Sequence, residues 1–361
     1  MGAADRSVVG HQQGPAIGQR QPASTSKAET QSRGDYSACN AGFNSALIWP
    51  VARRENDWDV VIAGAGPAGL SAALVLGRAR RRVLICDRGT PRNWPAKKMY
   101  AYLSRDRIPP QRFRDIARRE VLRYPTVRFV SVEVTTARRR NNRFVVSFTG
   151  RRDVTARKLL IATGLFDFVP RIPGFDELFG RAVFQCPYCD GWEMRDQRIA
   201  VYGKRQRGLH MARAMTAWAS DIVLLTDGRA GYSADERRHL ERNGIRLVEK
   251  RVARLEGTRS KLRAVAFRDG ERLPRDALFF DTPSRNQSKL AESLRCKFGR
   301  DGGVLCGDYE ATSVPGVFVA GNIIRDVQLS IVAAAEGARA AFGINRALTR
   351  EDFERRARQR K

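Results

Sequence analysis

Short apolar runs and helical stretches alternate along the chain from Asp57 onward. Residues 57–87, DWDVVIAGAGPAGLSAALVLGRARRRVLICD, contain an apolar run, a glycine turn, an apolar helical stretch and a second apolar run. Apolar runs of about four to eight residues that are bounded by turn residues are typical of buried strands. This stretch therefore predicts one strand–helix–strand unit.

Later segments repeat this pattern. Residues 151–164 end in a predicted strand followed by a Thr-Gly turn, and residues 198–227 predict a second strand–helix–strand unit. Residues 316–322, GVFVAGN, predict one more buried strand, which an alanine-rich helix follows from about Gln328 to Leu348. A chain of 361 residues is longer than a single core usually supports. We therefore predict an α/β fold with two doubly wound, Rossmann-like domains.

Residues 1–56 are rich in Gly, Gln, Ser, Ala and Thr and lack a sustained apolar period. Such a segment cannot bury enough apolar surface to offset the entropy of ordering, so we predict a disordered N-terminal tail. Four acidic residues argue against a mitochondrial targeting role for it: Asp5, Glu29, Asp35 and Glu55. Because no run of about 18 apolar residues and no signal-peptide core occur, we expect a cytoplasmic protein without a membrane segment.

The chain is strongly basic, with 66 Lys and Arg against 38 Asp and Glu and a net charge of +28. Such a charge by itself suggests a polyanionic partner. However, the arginines are spread over almost every segment, and no helix-turn-helix, zinc-finger or RNP signature accompanies them. We interpret the charge as a solvated surface and expect no specific nucleic-acid partner.

The first glycine turn has the spacing of a dinucleotide-binding fingerprint. Gly64, Gly66 and Gly69 form G-x-G-x-x-G between the first predicted strand and its helix, and Asp87 ends the next strand. The three glycines permit a tight turn, close approach of a pyrophosphate and close packing of helix on strand. The sequence therefore predicts a bound dinucleotide, with Asp87 accepting hydrogen bonds from its adenosine ribose.

Two of the six cysteines, Cys186 and Cys189, are three positions apart in FQCPYCDGWE. A zinc site would need two further ligands at matching spacing, which Cys296, Cys306 and the histidines do not offer. Unreactive buried thiols are the second alternative, but the residues around the pair are typical of an exposed loop at a helix start. We favour a redox couple, with Asp190 as a general acid for the leaving thiolate.

The motifs GAGPAGLSAAL, LLIATG, CPYCDGWE and GVFVAGN, followed by VQLSIVAAAEGARAA, occur in this order. Their combination resembles the thioredoxin-reductase-like flavoproteins of the pyridine nucleotide-disulfide oxidoreductase superfamily, and it covers nearly all of the chain after residue 56. The resemblance implies an FAD domain split into residues 57–176 and 284–361, a homodimer, and an inserted NAD(P)H domain, residues 177–283, that carries the cysteines.

The resemblance also implies which residues lie near the FAD. Asn322 stands where the family usually has Asp, so it can hydrogen-bond a ribityl hydroxyl but carries no charge. The segment after Asp87 resembles the thioredoxin-reductase-like branch, in which Asn93 lies close to the cofactor. The full implied set is Gly64, Gly66, Pro67, Ala68, Gly69, Asp87, Arg88, Asn93, Val134, Ala162, Thr163, Gly164, Gly321, Asn322, Gln328 and Leu329.

The second glycine turn, GKRQRG, is where the resemblance places the nicotinamide cofactor. Gly203 and Gly208 keep the outer spacing, but Arg205 replaces the middle glycine, and its side chain would crowd a pyrophosphate that the basic turn attracts. Asp227 favours an unphosphorylated ribose, whereas Arg229 and its basic neighbours offer partners for a 2′-phosphate. The choice between NADPH and NADH stays open.

The motif C-P-Y-C-D-G is similar to that of low-molecular-weight thioredoxin reductases. By this resemblance Cys189 faces the flavin, Cys186 attacks the substrate disulfide and Asp190 is the acid and base. We predict that electrons pass from NADPH or NADH through FAD and this disulfide to a thioredoxin-like protein or a small-molecule disulfide.

Two alternative functions remain open at this point. A dithiol oxidase would pass electrons to O2 and hardly use a nicotinamide. Arg205 favours this alternative and Asp190 disfavours it, because the fungal dithiol oxidases more often have His at that position. A basic nucleic-acid-binding protein that merely retains the fold is the more remote alternative.

Overall fold

A computed structural model describes residues 56–360 of the chain. The tail predicted for residues 1–56 therefore lies, Asn56 apart, outside the described residues. The strands, numbered along the chain, are β1 Asp57–Ala63, β2 Val83–Cys86, β3 Val127–Val130, β4 Val134–Arg140, β5 Arg143–Phe148, β6 Arg151–Ile161, β7 Leu165–Asp167, β8 Val183–Phe184, β9 Ile199–Tyr202, β10 Ile222–Leu225, β11 Arg246–Val248, β12 Val252–Thr258, β13 Lys261–Phe267, β14 Arg272–Pro274, β15 Ala277–Phe280, β16 Ser284–Asn286 and β17 Val317–Val319. The helices are α1 Pro67–Arg78, α2 Pro110–Leu122, α3 Phe175–Leu178, α4 Pro187–Asp190, α5 Arg205–Met215, α6 Ala234–Arg242, α7 Leu290–Ser293 and α8 Ser330–Gln359.

The first sheet has the order β3-β2-β1-β6-β5-β4, with β17 also paired to β6. Strand β6 is long enough to carry two neighbours on one edge. Its residues up to Ala156 pair with β5, and those from Leu159 onward pair in parallel with β17. A strand from near the C-terminus thus completes a sheet that begins with β1, as the predicted discontinuous arrangement requires.

The second sheet, β11-β10-β9-β15-β8, consists of parallel strands, and β12, β13 and β14 form a small antiparallel sheet. Helices α5 and α6 connect successive parallel strands of the second sheet, so it has the Rossmann-like pattern that the sequence predicts. The α/β fold class with an inserted Rossmann-like unit is confirmed. The domain boundaries at residues 176/177 and 283/284 stay predictions.

Two short strands carry the chain between the two large sheets. The chain leaves the first sheet through β7 and returns through β16, and these strands pair with each other in an antiparallel ribbon. Leu165 lies opposite Asn286, and Asp167 lies opposite Ser284. Both connections therefore run side by side.

The first sheet is buried on both faces, which explains why its strands appear as unbroken apolar runs. Along β1, Val61 and Ala63 belong to the hydrophobic cluster on one face, and Val60 and Ile62 belong to the cluster on the other. This alternation is the two-residue period of a strand.

Helix α8 ends at Gln359, well beyond the predicted end at Leu348. Its last turns are polar, but they are fixed to the first sheet by ion pairs. The side chain of Arg157, only 7% exposed, lies 2.8 Å from Glu351 and 2.8 Å from Asp352. Arg157 belongs to β6, about 200 residues earlier in the chain, which is a separation on the scale of a whole domain. The local pattern of α8 therefore did not predict these ion pairs.

We expect Asp352→Ala to lower the free energy of unfolding by about 3 kcal/mol, because it removes the partner of two arginines, Arg157 and Arg81. Burial alone would raise the pKa of Asp352, but its bonds to Arg81 and Arg157 lower the pKa below its usual range. This part of the stability is therefore present at neutral pH and lost as the pH falls through the lowered pKa.

Urea unfolding of the full chain measures this effect. Glu354→Ala, which removes an exposed carboxylate from the same helix, is the matched control and should change the free energy by less than about 0.5 kcal/mol. Equal effects of the two substitutions would show that the ion-pair network does not anchor α8.

Candidate active site

The first glycine turn packs so closely that two of its glycines have no room for a side chain. A Cβ at Gly64, whose φ is +104°, would lie 2.3 Å from the carbonyl oxygen of Ala162. A Cβ at Gly69 would lie 1.9 Å from the carbonyl oxygen of Gly64. At Gly66, by contrast, no atom lies within 4 Å of a Cβ position. The backbone at the start of α1 is therefore open to a ligand.

The structure brings segments from near residue 66 and from residues 321–337 together at this turn. Gly321, with φ of +80°, follows β17 and faces Ala68 of α1, because a Cβ at Gly321 would lie 3.1 Å from that of Ala68. A Cβ at Gly337 of α8 would lie 2.0 Å from the carbonyl oxygen of Ala68. Thr163 and Gly164 directly follow β6, next to Ala162. The glycine fingerprint, the Ala-Thr-Gly turn and the last glycine-bearing strand thus meet at one place.

Asp87, the predicted ribose acceptor, lies just after β2 and is already engaged. Its Oδ1 accepts from the backbone N–H of Ala65 at 3.4 Å, and Nη2 of Arg114 lies 2.5 Å from its Oδ2. Arg88, the next residue, pairs with Glu133 at 3.2 Å. Arg114 was not predicted, because nothing in the local pattern of α2 indicates which residue of that helix faces the sheet edge.

Arg92 joins three parts of the predicted cofactor site. Its guanidinium holds Asp167 of β7 through two bonds, of 2.6 and 2.7 Å, and it also hydrogen-bonds the side chain of Gln328. Leu329 then caps the start of α8. Arg92 was not predicted, although its neighbour Asn93 was. Val134 was also predicted near the cofactor, and the structure places it at the start of β4, in a buried position.

Cys186 and Cys189 are joined by a disulfide. Cys186 is the N-cap of the one-turn helix α4, and Pro187 is its first residue, which suits the fixed φ of proline. The backbone N–H of Cys189 donates to Sγ of Cys186 at 3.1 Å. The two cysteines are therefore paired with each other in this structure. Among residues 56–360, no group of three or more His, Cys, Asp or Glu side chains is arranged to hold a metal ion.

Exposed aromatic side chains flank the disulfide. Tyr188, between the two cysteines, is 71% exposed and meets the edge of Trp218, with ring centroids 5.4 Å apart. Trp192 is 63% exposed, and the guanidinium of Arg195 lies 4.3 Å above its ring. Exposed apolar rings, one of them in contact with a guanidinium, thus lie close in sequence to the disulfide.

Asp190 follows Cys189 directly and is half-buried. Desolvation, and secondly the nearby charge of Glu193, raise its pKa from 3.8 to about 7. Tyr100 lies in the segment between β2 and α2. Burial is the main cause that raises its pKa, and the charges of Glu193 and Asp190 raise it further. The carboxyl of Asp190, with its pKa of about 7, is partly protonated near neutral pH.

The second glycine turn keeps the outer packing of a Rossmann turn. A Cβ at Gly208 would lie 2.6 Å from the carbonyl oxygen of Gly203. Arg205 has a φ of +51°, the left-handed region that glycine normally occupies, and its carbonyl oxygen accepts from the hydroxyl of Tyr232 at 2.9 Å. The backbone therefore adopts a glycine-like conformation at Arg205 despite the side chain.

The carboxylate of Asp227, the predicted ribose acceptor of the second turn, is hydrogen-bonded within the protein. Its Oδ1 accepts from the backbone N–H of Val252 at 2.9 Å, and its Oδ2 accepts from the hydroxyl of Tyr202 at 3.3 Å. These internal bonds occupy both carboxylate oxygens. The second turn thus keeps the outer glycine packing, and Asp227, like Asp87, has one internal hydrogen bond on each carboxylate oxygen.

A family model described as pyridine nucleotide-disulphide oxidoreductase matches residues 58–337. The chain belongs to this family. The oxidoreductase is 32% identical over 278 residues to the thioredoxin reductase tcpT of Claviceps purpurea, which covers 73% of the chain and 86% of that relative. The thioredoxin-reductase-like resemblance is therefore confirmed.

Solved structures agree with this family. The crystal structure of HlmI is 36% identical, with a TM-score of 0.81, and the match covers 84% of this chain and 96% of that one. The putative thioredoxin reductase TrxB from Bacillus anthracis is 31% identical, with a TM-score of 0.77 and coverage of 82% and 99%. No helix within residues 56–360 of the oxidoreductase is both long and apolar enough to cross a membrane.

The family implies flavin and nicotinamide cofactors. The first turn fits the pyrophosphate of a flavin dinucleotide, because Gly66 leaves the backbone open where the unpaired N–H groups of α1 begin. The second turn keeps the outer glycine packing that a nicotinamide dinucleotide needs, but it has Arg205 where the first turn has the open Gly66.

Replacing Asp190 by Asn tests the protonation that its surroundings impose. Because the pKa of Asp190 is raised in the folded protein, its stabilising contribution is present below about pH 4 and lost progressively as the pH rises to about 7. The Asn variant lacks this loss. We expect the difference in free energy of unfolding between the Asn variant and the wild type to rise over that pH range, by about 4 kcal/mol at most.

Thermal or urea unfolding between pH 4 and pH 8 measures the difference. Asp196→Asn, which neutralises an exposed carboxylate on the same loop, is the matched control. If both variants follow the wild-type profile, Asp190 is ionised like any surface acid and cannot serve as the proton donor.

Proposed function

We propose that the chain is an FAD-dependent disulfide oxidoreductase that passes electrons from NADPH or NADH through FAD and the Cys186–Cys189 disulfide to a thioredoxin-like protein or a small-molecule disulfide. The observation that carries the proposal is the disulfide itself, which is followed directly by a half-buried carboxyl with a pKa of about 7. Membership of the family and the open backbone at Gly66 support it.

The residues that would hold FAD surround the first glycine turn. Gly66 and the start of α1 would bind the pyrophosphate, while Gly321, Asn322 and Leu329 would flank the rest of the cofactor. Bound there, FAD would supply two-electron transfer between a nicotinamide and the disulfide. The proposed FAD domain comprises residues 57–176 and 284–361, and the side-by-side connections β7 and β16 support this division.

The reduced cysteines and Asp190 would perform the disulfide chemistry. The Cys186 thiolate attacks one sulfur of the substrate, the substrate S–S bond breaks, and the leaving sulfur takes a proton from Asp190. The Cys189 thiolate then attacks Sγ of Cys186 in the mixed disulfide, which re-forms the Cys186–Cys189 bond and releases the second substrate thiolate. The two electrons of the dithiol have then moved to the substrate. In the thiolate form, the N–H of Cys189 stabilises Sγ of Cys186.

The partner and the assembly are proposals from the same resemblance. A thioredoxin-like protein suits a chain whose relatives carry the name thioredoxin reductase, and the exposed rings of Tyr188 and Trp192 beside the disulfide offer it a contact surface. The homodimer rests on the family resemblance alone, and the cytoplasmic location stays the expectation drawn from the sequence.

Anaerobic titration of the FAD-loaded protein with NADPH and with NADH tests this function. We expect at least one nicotinamide to bleach the flavin of the wild type. Cys189→Ser should still bind FAD, and the nicotinamide should still bleach this flavin. Its turnover of a disulfide substrate should fall to the enzyme-free rate, because the flavin then lacks its sulfur acceptor. Cys39→Ser, at a cysteine outside the described residues, is the control and should turn over normally.

The reverse result has a definite meaning. If both nicotinamides leave the flavin oxidised while a dithiol bleaches it and O2 restores the colour, the protein is a dithiol oxidase. The proposed direction of electron flow is then wrong. Retained disulfide turnover in Cys189→Ser would refute the role of Cys189.

Two glycine substitutions separate the cofactor site from the fold. Gly66→Ala meets no atom within 4 Å, so the free energy of unfolding of the apoprotein should change by less than about 0.5 kcal/mol. Its affinity for FAD should nevertheless fall at least about tenfold, since the methyl group occupies the space of the pyrophosphate. Gly69→Ala should destabilise the apoprotein, because its methyl group meets the carbonyl oxygen of Gly64.

Flavin fluorescence gives the affinity, and apoprotein unfolding gives the stability. Unchanged FAD affinity in Gly66→Ala would contradict the assignment of the pyrophosphate to this turn.

A further inference from the structure

A glutamate of α8 hydrogen-bonds the backbone at the glycine that follows β17. The N–H of Gly321 donates to Oε2 of Glu336 at 2.6 Å. One residue earlier, the N–H of Ala320 still donates to the carbonyl oxygen of Ile161 in the neighbouring strand, at 3.2 Å. Gly321 is thus the first residue to leave the sheet, and Glu336 provides the acceptor that the strand no longer provides.

The conformation of Gly321 needs such support. Its φ of +80° and ψ of −160° belong to a region that is essentially restricted to glycine. A single 3-10 turn, Asn322–Ile324, follows at once, and Arg325 again has a positive φ of +64°. The orientation of one peptide group therefore decides where Gly321 and Asn322 lie beside α1.

Close packing of α8 on α1 brings Glu336 within reach. Gly337, the next residue, touches the backbone at Ala68, since a Cβ there would lie 2.0 Å from the carbonyl oxygen. A larger residue at position 337 would push α8 away from the glycine turn. The pair Glu336-Gly337 thus combines a hydrogen-bonding side chain with the close approach that this side chain needs.

Charged groups around Glu336 come from three segments. Glu310 is only 4% exposed, its Oε1 lies 3.3 Å from Nε of Arg339, and its Oε2 has no hydrogen-bond partner within the described residues. Burial raises the pKa of Glu336 to about 7; the N–H of Gly321 and the charge of Arg339 oppose this rise, whereas Glu310 and Asp326 add to it. The thiol of Cys306 faces both glutamates, which, after burial, raise its pKa.

We propose that Glu336 is a positioning residue for the flavin, whose side-chain oxygen holds the Gly321 peptide in the orientation that the cofactor site requires. Glu336 acts through the backbone of Gly321 and Asn322. This inference rests on the proposed function, because it assumes that the turn after β17 borders FAD. It assigns a role to a residue that the glycine motifs do not include.

Three substitutions of Glu336 test the role. Glu336→Gln retains an acceptor oxygen at the same reach, so its FAD affinity should stay within about threefold of the wild type. Glu336→Leu removes the acceptor, and Glu336→Asp keeps the charge but shortens the side chain by one methylene. Both should weaken FAD binding about tenfold, the effect of one lost hydrogen bond. Glu354→Leu, on an exposed part of the same helix, is the matched control.

Apoprotein stability supplies the second readout, and it does not need the cofactor. Since the folded pKa of Glu336 is raised, the wild type should lose stability as the pH rises from about 4.5 to about 7, and Glu336→Gln should lose less. Glu336→Gln should therefore retain FAD binding, unlike Glu336→Leu, and reduce the pH dependence of the free energy of unfolding. A purely structural side chain would not produce this combination.

The outcomes distinguish this inference from the proposed function. If the wild type fails to bind FAD, the proposed function fails. If the wild type binds FAD and both Glu336→Leu and Glu336→Asp bind it within about twofold as tightly, the inference is wrong. Loss of binding in Glu336→Gln equal to that in Glu336→Leu would also overturn it, because the neutral acceptor should suffice.

Discussion

Backbone-to-backbone packing at a few glycines is the constraint on which the rest of this structure depends. Gly69 of α1 lies against the carbonyl group of Gly64, Gly64 lies against that of Ala162, and Gly337 of α8 lies against that of Ala68. Helices cannot approach a strand or each other this closely when a Cβ intervenes. These contacts pull three distant parts of the chain together and leave the adjacent backbone at Gly66 uncovered. The same packing that closes the core therefore also creates the open edge of the site.

Local sequence signals accounted for the strands, the glycine turns and the cysteine pair, because each depends on residues a few positions apart. Interactions between distant segments left no such signal. Arg114 reaches Asp87 from the following helix, and Glu336 reaches a peptide bond two elements earlier, which only the folded topology brings near. The polar end of α8 was predicted to lie outside the helix, and this was wrong. Its acids, such as Asp352, have their partners on a distant strand, which the local sequence does not show. Periodicity shows which face of an element is buried, but it does not show which charged group of a distant segment contacts that element.

Desolvation sets the protonation state at both ends of the candidate site. Asp190 beside the disulfide and Glu336 beside Gly321 both have a pKa of about 7, in each case with burial as the main cause and a second acid as a smaller one. A net charge of +28 favours ionised acids, but this long-range attraction is weak compared with the loss of water around a single carboxyl. Two carboxyl groups with raised pKa values thus occur within a strongly basic chain.

The antiparallel ribbon of β7 and β16 also bears on how the second unit is joined to the first sheet. Because Leu165 and Asn286 are paired, the polypeptide enters and leaves the second Rossmann-like unit at adjacent points. The first sheet, including β17, would remain continuous in its strand order if everything between these two residues were replaced by a tight turn. The second Rossmann-like unit is therefore inserted at a single point of the first sheet, and its presence requires no rethreading of that sheet.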